Sequence, residues 1–115
     1  MDVNTIERMD ILLVDLGWNK GSVQSGQRPV LVVSNNVGNR VSGILEVIPF
    51  TSKEKRSMCT HMWVEGFGLP SKSLLLAEQI ITISKKQIIR PYGKITDEDV
   101  IREINKKIIV SLGLL

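Results

Sequence analysis

Gly21-Ser-Val-Gln-Ser-Gly-Gln-Arg28-Pro-Val-Leu-Val-Val33-Ser-Asn35 carries the chain from a polar, glycine-bearing loop into an unbroken aliphatic run. Pro29 fixes its own φ and keeps Arg28 out of the helical region, so the segment reads as extended from the arginine onward. Val30 to Val33 must then be buried. A guanidinium at the mouth of such a strand is a rigid fork of donors that fits an anion in the adjacent groove, phosphate above all. The same residue also suits a salt bridge that closes a strand, and composition alone does not separate the two readings.

Reading outward, Asp10 to Leu16 forms a first strand bounded by Gly17 and the polar 19–27 loop, and the second strand runs from Arg28 to Ser34. Asn35 to Gly43, with its asparagines and glycines, is turn material before a third strand, Ile44 to Phe50. Lys53 to Arg56 is a solvated loop, and Cys59 to Glu65 a strand ended by Gly66, Gly68 and Pro70. Leu74–Ala77 and Ile80–Ile83 are short extended segments around Glu78-Gln79; residues 85–89 have no clear period, and Pro91 with Gly93 marks a break. Thr96-Asp-Glu-Asp99 has the form of a capping box and opens a helix over 97–112, with acids at its positive end. Val100, Ile101, Ile104, Ile108 and Leu112 recur at three- and four-residue steps and predict one buried stripe packed on the sheet. Several short strands followed by one helix point to a mostly β fold: a small, strongly curved antiparallel sheet or barrel with a C-terminal helix.

The length of 115 residues suits a single domain over 1–115, and a net charge of +3 permits an anionic partner without announcing one. One cysteine, Cys59, cannot form an internal disulfide, and no stretch reaches the ~18 apolar residues of a membrane span, so a cytoplasmic protein is expected. The only histidine, His61, lacks the glycine pattern of a nucleophile elbow for a serine triad. Cys59 and His61 share a strand face, yet zinc needs further ligands; packing is the simpler reading. No phosphate-binding or dinucleotide glycine motif is present, and no metal or cofactor is expected. Chemistry that works with an arginine, hydroxyls and amides remains. RNA cleavage fits that inventory because the 2′-hydroxyl of the substrate supplies the nucleophile. Arg28 begins one strand and Thr51 ends another, which brings them together if those strands are antiparallel neighbours; Thr51-Ser52 also reads as a plain strand-end turn.

The blocks Gly21-Ser22-x-Gln24-x-Gly26-x-Arg28-Pro29-Val30-Leu31-Val32-Val33, Asn36-Val-Gly-Asn-Arg40, Thr51-Ser52, Thr60-His61 and Glu78-Gln79-Ile80-x-Thr82-Ile83 occur in that order. Together they resemble the MazF/PemK family of toxin endoribonucleases, over nearly the whole chain from Asp10 to Leu112. The resemblance implies an SH3-like small barrel with a C-terminal helix and a homodimer with single-stranded RNA in a groove across its interface. It also implies a cognate antitoxin, and metal-independent cleavage at short sequences to a 2′,3′-cyclic phosphate and a 5′-hydroxyl. By motif match the catalytic arginine falls on Arg28 and the catalytic threonine on Thr51, while Ser22, Gln24, Ser52 and Gln79 fall on RNA-binding positions. The alternative within the same barrel class is a non-cleaving binding module, either a gyrase-poisoning toxin resembling CcdB or a protein that binds RNA or antitoxin without cutting. Three departures stand out: Val23 replaces the usual glutamate of Gly-Ser-Glu-Gln, Ile81 replaces an arginine, and Met9-Asp10 replaces Gly-Asp. A carboxylate at position 23 could accept the 2′-hydroxyl proton or orient Arg28, and valine can do neither. Val23→Glu is therefore expected to raise the single-turnover cleavage rate at saturating enzyme, toward the roughly 10²–10⁴ that a general base supplies. An unchanged or lower rate would place the base elsewhere.

Overall fold

The computed structural model describes residues 5–18, 21 and 24–114; Ser22 and Val23 lie outside them. Strands β1 (Asp10–Asp15) and β2 (Gln27–Val32) form an antiparallel hairpin in register from Ile11–Leu31 to Asp15–Gln27. Helix α1 (Asn36–Val41) leads into β3 (Ile44–Thr51), the longest strand. It is followed by β4 (His61–Val64), β5 (Ser73–Leu76), β6 (Ile81–Ser84), a 3-10 turn over Lys85–Gln87, β7 (Ile88–Lys94) and helix α2 (Glu98–Ser111). The strands lie in the order β4-β5-β3-β2-β1-β7, with β6 also on β3, and every pairing is antiparallel. The expected mostly β architecture with a C-terminal helix is what the chain adopts.

Alternate residues of the central strands fill two cores. Ile11, Leu31, Ile48, Phe50 and Leu75 point to one face, and Leu12, Val14, Val30, Val32, Leu45 and Val47 to the other. Burial on both faces is why Val30 to Val32 show no polar alternation. Helix α2 covers the first core through Ile104, fully buried, with Val100, Ile101 and Ile108 beside it.

Local departures from the sequence reading have physical causes. Asn35 to Gly43, read as turn material, holds α1. Asn35 is its N-cap, accepting from the Gly38 N–H at 2.8 Å, and buried Asn39 donates to the Ser34 carbonyl at 2.9 Å, so the asparagines cap a short helix and tie it to the residue that precedes its cap. The strand read over Cys59 to Glu65 contracts to β4. At Pro91 and Gly93, read as a break, β7 continues: it is at the end of the strand order, and its pairing with β1 shifts register twice, which accommodates a proline lacking an N–H. Gly93 is required there, because a Cβ would lie 2.0 Å from the Phe67 carbonyl oxygen of the crossing loop. Leu112 does not join the buried stripe and is 56% exposed; it is the C-cap, beyond the last helical turn.

The helix cap also differs from the expected box. Asp97 caps α2, its carboxylate accepting from the N–H groups of Asp99 at 2.9 Å and Val100 at 3.2 Å. An N-cap residue satisfies amides that otherwise have no partner, and a carboxylate there also meets the positive end of the helix dipole. Asp97→Ala should cost about 1 kcal/mol in urea denaturation and Thr96→Ala only a few tenths. Equal losses would return the cap to Thr96.

Candidate functional site

Strands β2 and β3 pair from Val32–Val47 to Val30–Pro49. The pairing ends there, two residues short of Arg28 on β2 and of Thr51 on β3, so the antiparallel register leaves both strand ends on the same side of the sheet. Arg28 is half-buried, and its Nε donates to the Ser25 carbonyl at 3.1 Å. None of the ion pairs among the described residues includes it. Among the described residues it thus has no acidic partner. Instead Arg28 lines a concavity of about 190 Å³ with Gln27, Ser52, Ser71, Ser73 and Tyr92, in which it is the only charged residue among those described. Hydroxyls and one guanidinium, without an acid, make a site complementary to an oxyanion.

Thr51 sits differently. It is 1% exposed, its Oγ1 accepts from the Lys53 N–H at 3.2 Å, and it is not part of the lining of the concavity, whereas exposed Ser52 is. The two residues thus separate into a buried hydroxyl and one that opens onto the pocket of the arginine.

Gln24 and Gln79 meet directly: the Gln24 N–H donates to Gln79 Oε1 at 3.0 Å. The cause is a large bulge. Between the Phe50–Leu75 and Val47–Ile81 pairs β3 advances three residues while the facing chain advances six, and the surplus turns back through a bond from the Gln79 N–H to the Leu76 carbonyl at 2.8 Å. From this bulge Gln79 holds the loop at Gln24, one residue from the carbonyl that orients Arg28. Ser22, the other expected RNA-binding residue, lies outside the described residues.

The same bulge presents Glu78, whose Oε1 accepts from Thr60 Oγ1 at 3.0 Å and whose Oε2 meets His61 Nε2 at 2.9 Å. Burial alone would push the Glu78 carboxyl up, but the bonds from His61, the backbone and Thr60 outweigh it and hold the group below the ordinary 4.5. An ionised Glu78 only accepts, so Nε2 of His61 carries the proton between them. The sequence reading placed His61 with Cys59; the structure turns it to Glu78, leaving Cys59 exposed ahead of β4. The signal was present as Thr60-His61 and Glu78-Gln79, but only strand pairing joins them. No group of three or more His, Cys, Asp or Glu able to hold a metal occurs among the described residues.

Residues 7–112 match the profile of the family described as PemK-like, MazF-like toxin of type II toxin–antitoxin system. The chain belongs to this MazF/PemK family. Among its relatives, the endoribonuclease EndoA of Bacillus subtilis is 34% identical over 115 residues, covering 96% of this chain and 97% of its own. An endoribonuclease solved in complex with its cognate antitoxin from a mycobacterial species superposes with a TM-score of 0.80 at 26% identity, over 96% of this chain and 98% of that one. MazF of Deinococcus radiodurans shares the fold, with a TM-score of 0.79 at 22% identity, over 94% of this chain and 96% of its own. The MazF-type, SH3-like barrel class is thus the fold, and no helix of the described residues is long and apolar enough to cross a membrane.

The Glu78 network sets a pH dependence. A carboxyl whose folded pKa lies below its unfolded value stabilises the fold at pH above about 4.5, and that contribution disappears as pH falls through the folded value. The wild-type melting temperature should therefore fall more steeply below pH 4.5 than that of Glu78→Gln. Parallel profiles would show that the network carries no linkage.

Proposed function

We propose that this MazF/PemK family member is a metal-independent endoribonuclease, the toxin of a toxin–antitoxin pair, which cleaves single-stranded RNA at short sequences in the cytoplasm. One observation carries the reading: among the described residues Arg28 is the lone charge of a hydroxyl-bearing concavity that it shares with Ser52, the neighbour of Thr51. The 2′-hydroxyl of the substrate attacks the adjacent phosphorus as its proton leaves to a base. The bond to the 5′-oxygen breaks, and that oxygen takes a proton. The products are a 2′,3′-cyclic phosphate and a 5′-hydroxyl. Arg28, held at Nε by the Ser25 carbonyl, directs its terminal nitrogens toward the phosphorane oxygens, where charge grows in the transition state. Thr51 is the second catalytic residue by family motif, and Ser22, Gln24, Ser52 and Gln79 line the path of the RNA.

The endoribonuclease solved with its cognate antitoxin supports an antitoxin partner; the family resemblance adds a homodimer with the RNA groove across its interface, which the antitoxin blocks. An acidic segment, disordered until bound, suits a groove whose central charge is an arginine.

Cleavage should persist in excess EDTA and leave cyclic-phosphate ends, read by end-specific ligation; strict magnesium dependence would sink the proposal. Arg28→Ala should lower the single-turnover rate by about 10²–10³ with the melting temperature retained. Arg28→Lys should fail as well, because an ammonium has no bidentate fork. Full activity in the lysine variant would mean that charge alone suffices.

A further inference from the structure

Trp63 is an exposed indole beside the site on a strand whose other face is core. Met62 and Val64 of β4 pack into the first core, while His61 and Trp63 alternate to the opposite side, and Trp63 is 43% exposed. Register ties it to the reaction centre. Thr51 pairs with Leu74, and Leu74 pairs with Trp63, so the three form one row across β3, β5 and β4 and share a face. Two strand spacings, about 10 Å, separate the Thr51 and Trp63 backbones.

Beyond Thr51 the chain passes from Ser52, in the arginine concavity, to a second concavity of about 200 Å³ lined by Glu54, Lys55, Ser57, His61, Trp63 and Leu74. Its lining carries one lysine and one glutamate, so unlike the arginine site it is not built for a phosphate. It offers an aromatic plane, with Lys72 Nζ 5.5 Å from the indole centroid. His61, in its lining, carries the one buried side-chain atom among the described residues that lacks a hydrogen bond, Nδ1. With Nε2 bonded to Glu78, Nδ1 is left with a hydrogen-bonding position to fill, which favours a partner with a polar edge. A flat, neutral group with hydrogen-bonding edges describes a nucleobase.

We propose that this second concavity is a nucleobase subsite, in which Trp63 stacks on a base flanking the phosphate held at Arg28. The inference rests on the ribonuclease reading and extends it to a specificity-determining residue. Stacking tolerates every base because each has a π-face, and a hydrogen bond to the His61 ring then narrows the choice.

Trp18 and Trp63 are the two tryptophans of the chain, so Trp18→Phe makes Trp63 the sole indole reporter. Titrating that protein with 2′-O-methyl RNA of mixed sequence, which cannot be cleaved, should quench the Trp63 emission. In cleavage assays Trp63→Ala should raise the half-saturating RNA concentration about 5- to 150-fold, and Trp63→Phe should recover most of the loss. In an abasic scan along a cleavable RNA, one position should weaken wild-type binding yet cost nothing further in Trp63→Ala. If the wild type does not cleave RNA, the ribonuclease reading falls and takes the subsite with it. If it cleaves but Trp63→Ala changes neither the half-saturating concentration nor the abasic pattern, the subsite alone is overturned. If Trp63→Ala converts a dimer to monomer in sedimentation and leaves the RNA response intact, the ring serves contact between copies, which also overturns it.

Discussion

The register of β3 is the constraint on which the rest of the molecule depends. Its residues pair with β2 along one edge and with β6 and β5 in succession along the other, and its side chains enter both cores. A slip of one residue would exchange Leu45 and Val47 with Glu46 and Ile48 between faces and expose or invert both apolar sets. The same register leaves the strand ends that bear Arg28 and Thr51 on one side of the sheet and, through Leu74, sets Thr51 in one row with Trp63. Packing therefore determines where the polar residues at the strand ends meet. Those residues can be chosen for chemistry because they carry little of the burial.

The surplus residues opposite β3 show how one irregularity serves several ends. A regular strand from Leu75 to Ile81 would alternate its side chains between the cores; the bulge instead frees Glu78 and Gln79 from that alternation. Glu78 ties Thr60 and His61 to the bulge, and Gln79 holds a loop amide at Gln24. Ser25, the next residue, gives its carbonyl to Arg28. Each bond is worth only about 1 kcal/mol, yet in series they connect β4 to the guanidinium and restrict its orientation. An arginine oriented in this way, with no acid among the described ion pairs, retains its charge for a ligand. A structural salt bridge would have spent it.

Much of this was legible along the chain because its signals are local. Pro29 and the aliphatic run from Val30 announced a buried strand, and the stripe through Ile104 announced the helix that covers the first core. The ordered blocks around Arg28, Thr51 and Glu78-Gln79 carried the family. Errors occurred where a local signal has two structural outcomes. Asparagines and glycines serve turns and helix caps alike, so α1 read as turn; proline and glycine end most strands but are accommodated in β7 by its irregular pairing with β1. Thr96 and Asp97 are both cap residues, and only the backbone geometry selects Asp97.

Sequence by itself determined the class of the fold, the helix and its covering face, the residue types available for chemistry and the family to which the chain belongs. These follow from periodicity, backbone restriction and motif order, all properties of neighbours in the chain. Tertiary structure alone decided that Arg28 opens onto a pocket with Ser52 while Thr51 is buried, that His61 turns to Glu78 and not to Cys59, and that Trp63 stands in the row of Thr51. Each of those facts depends on strand pairing and on a bulge between residues far apart in sequence. No local pattern encodes the register by which distant strands meet, because it is set by how both cores close at once.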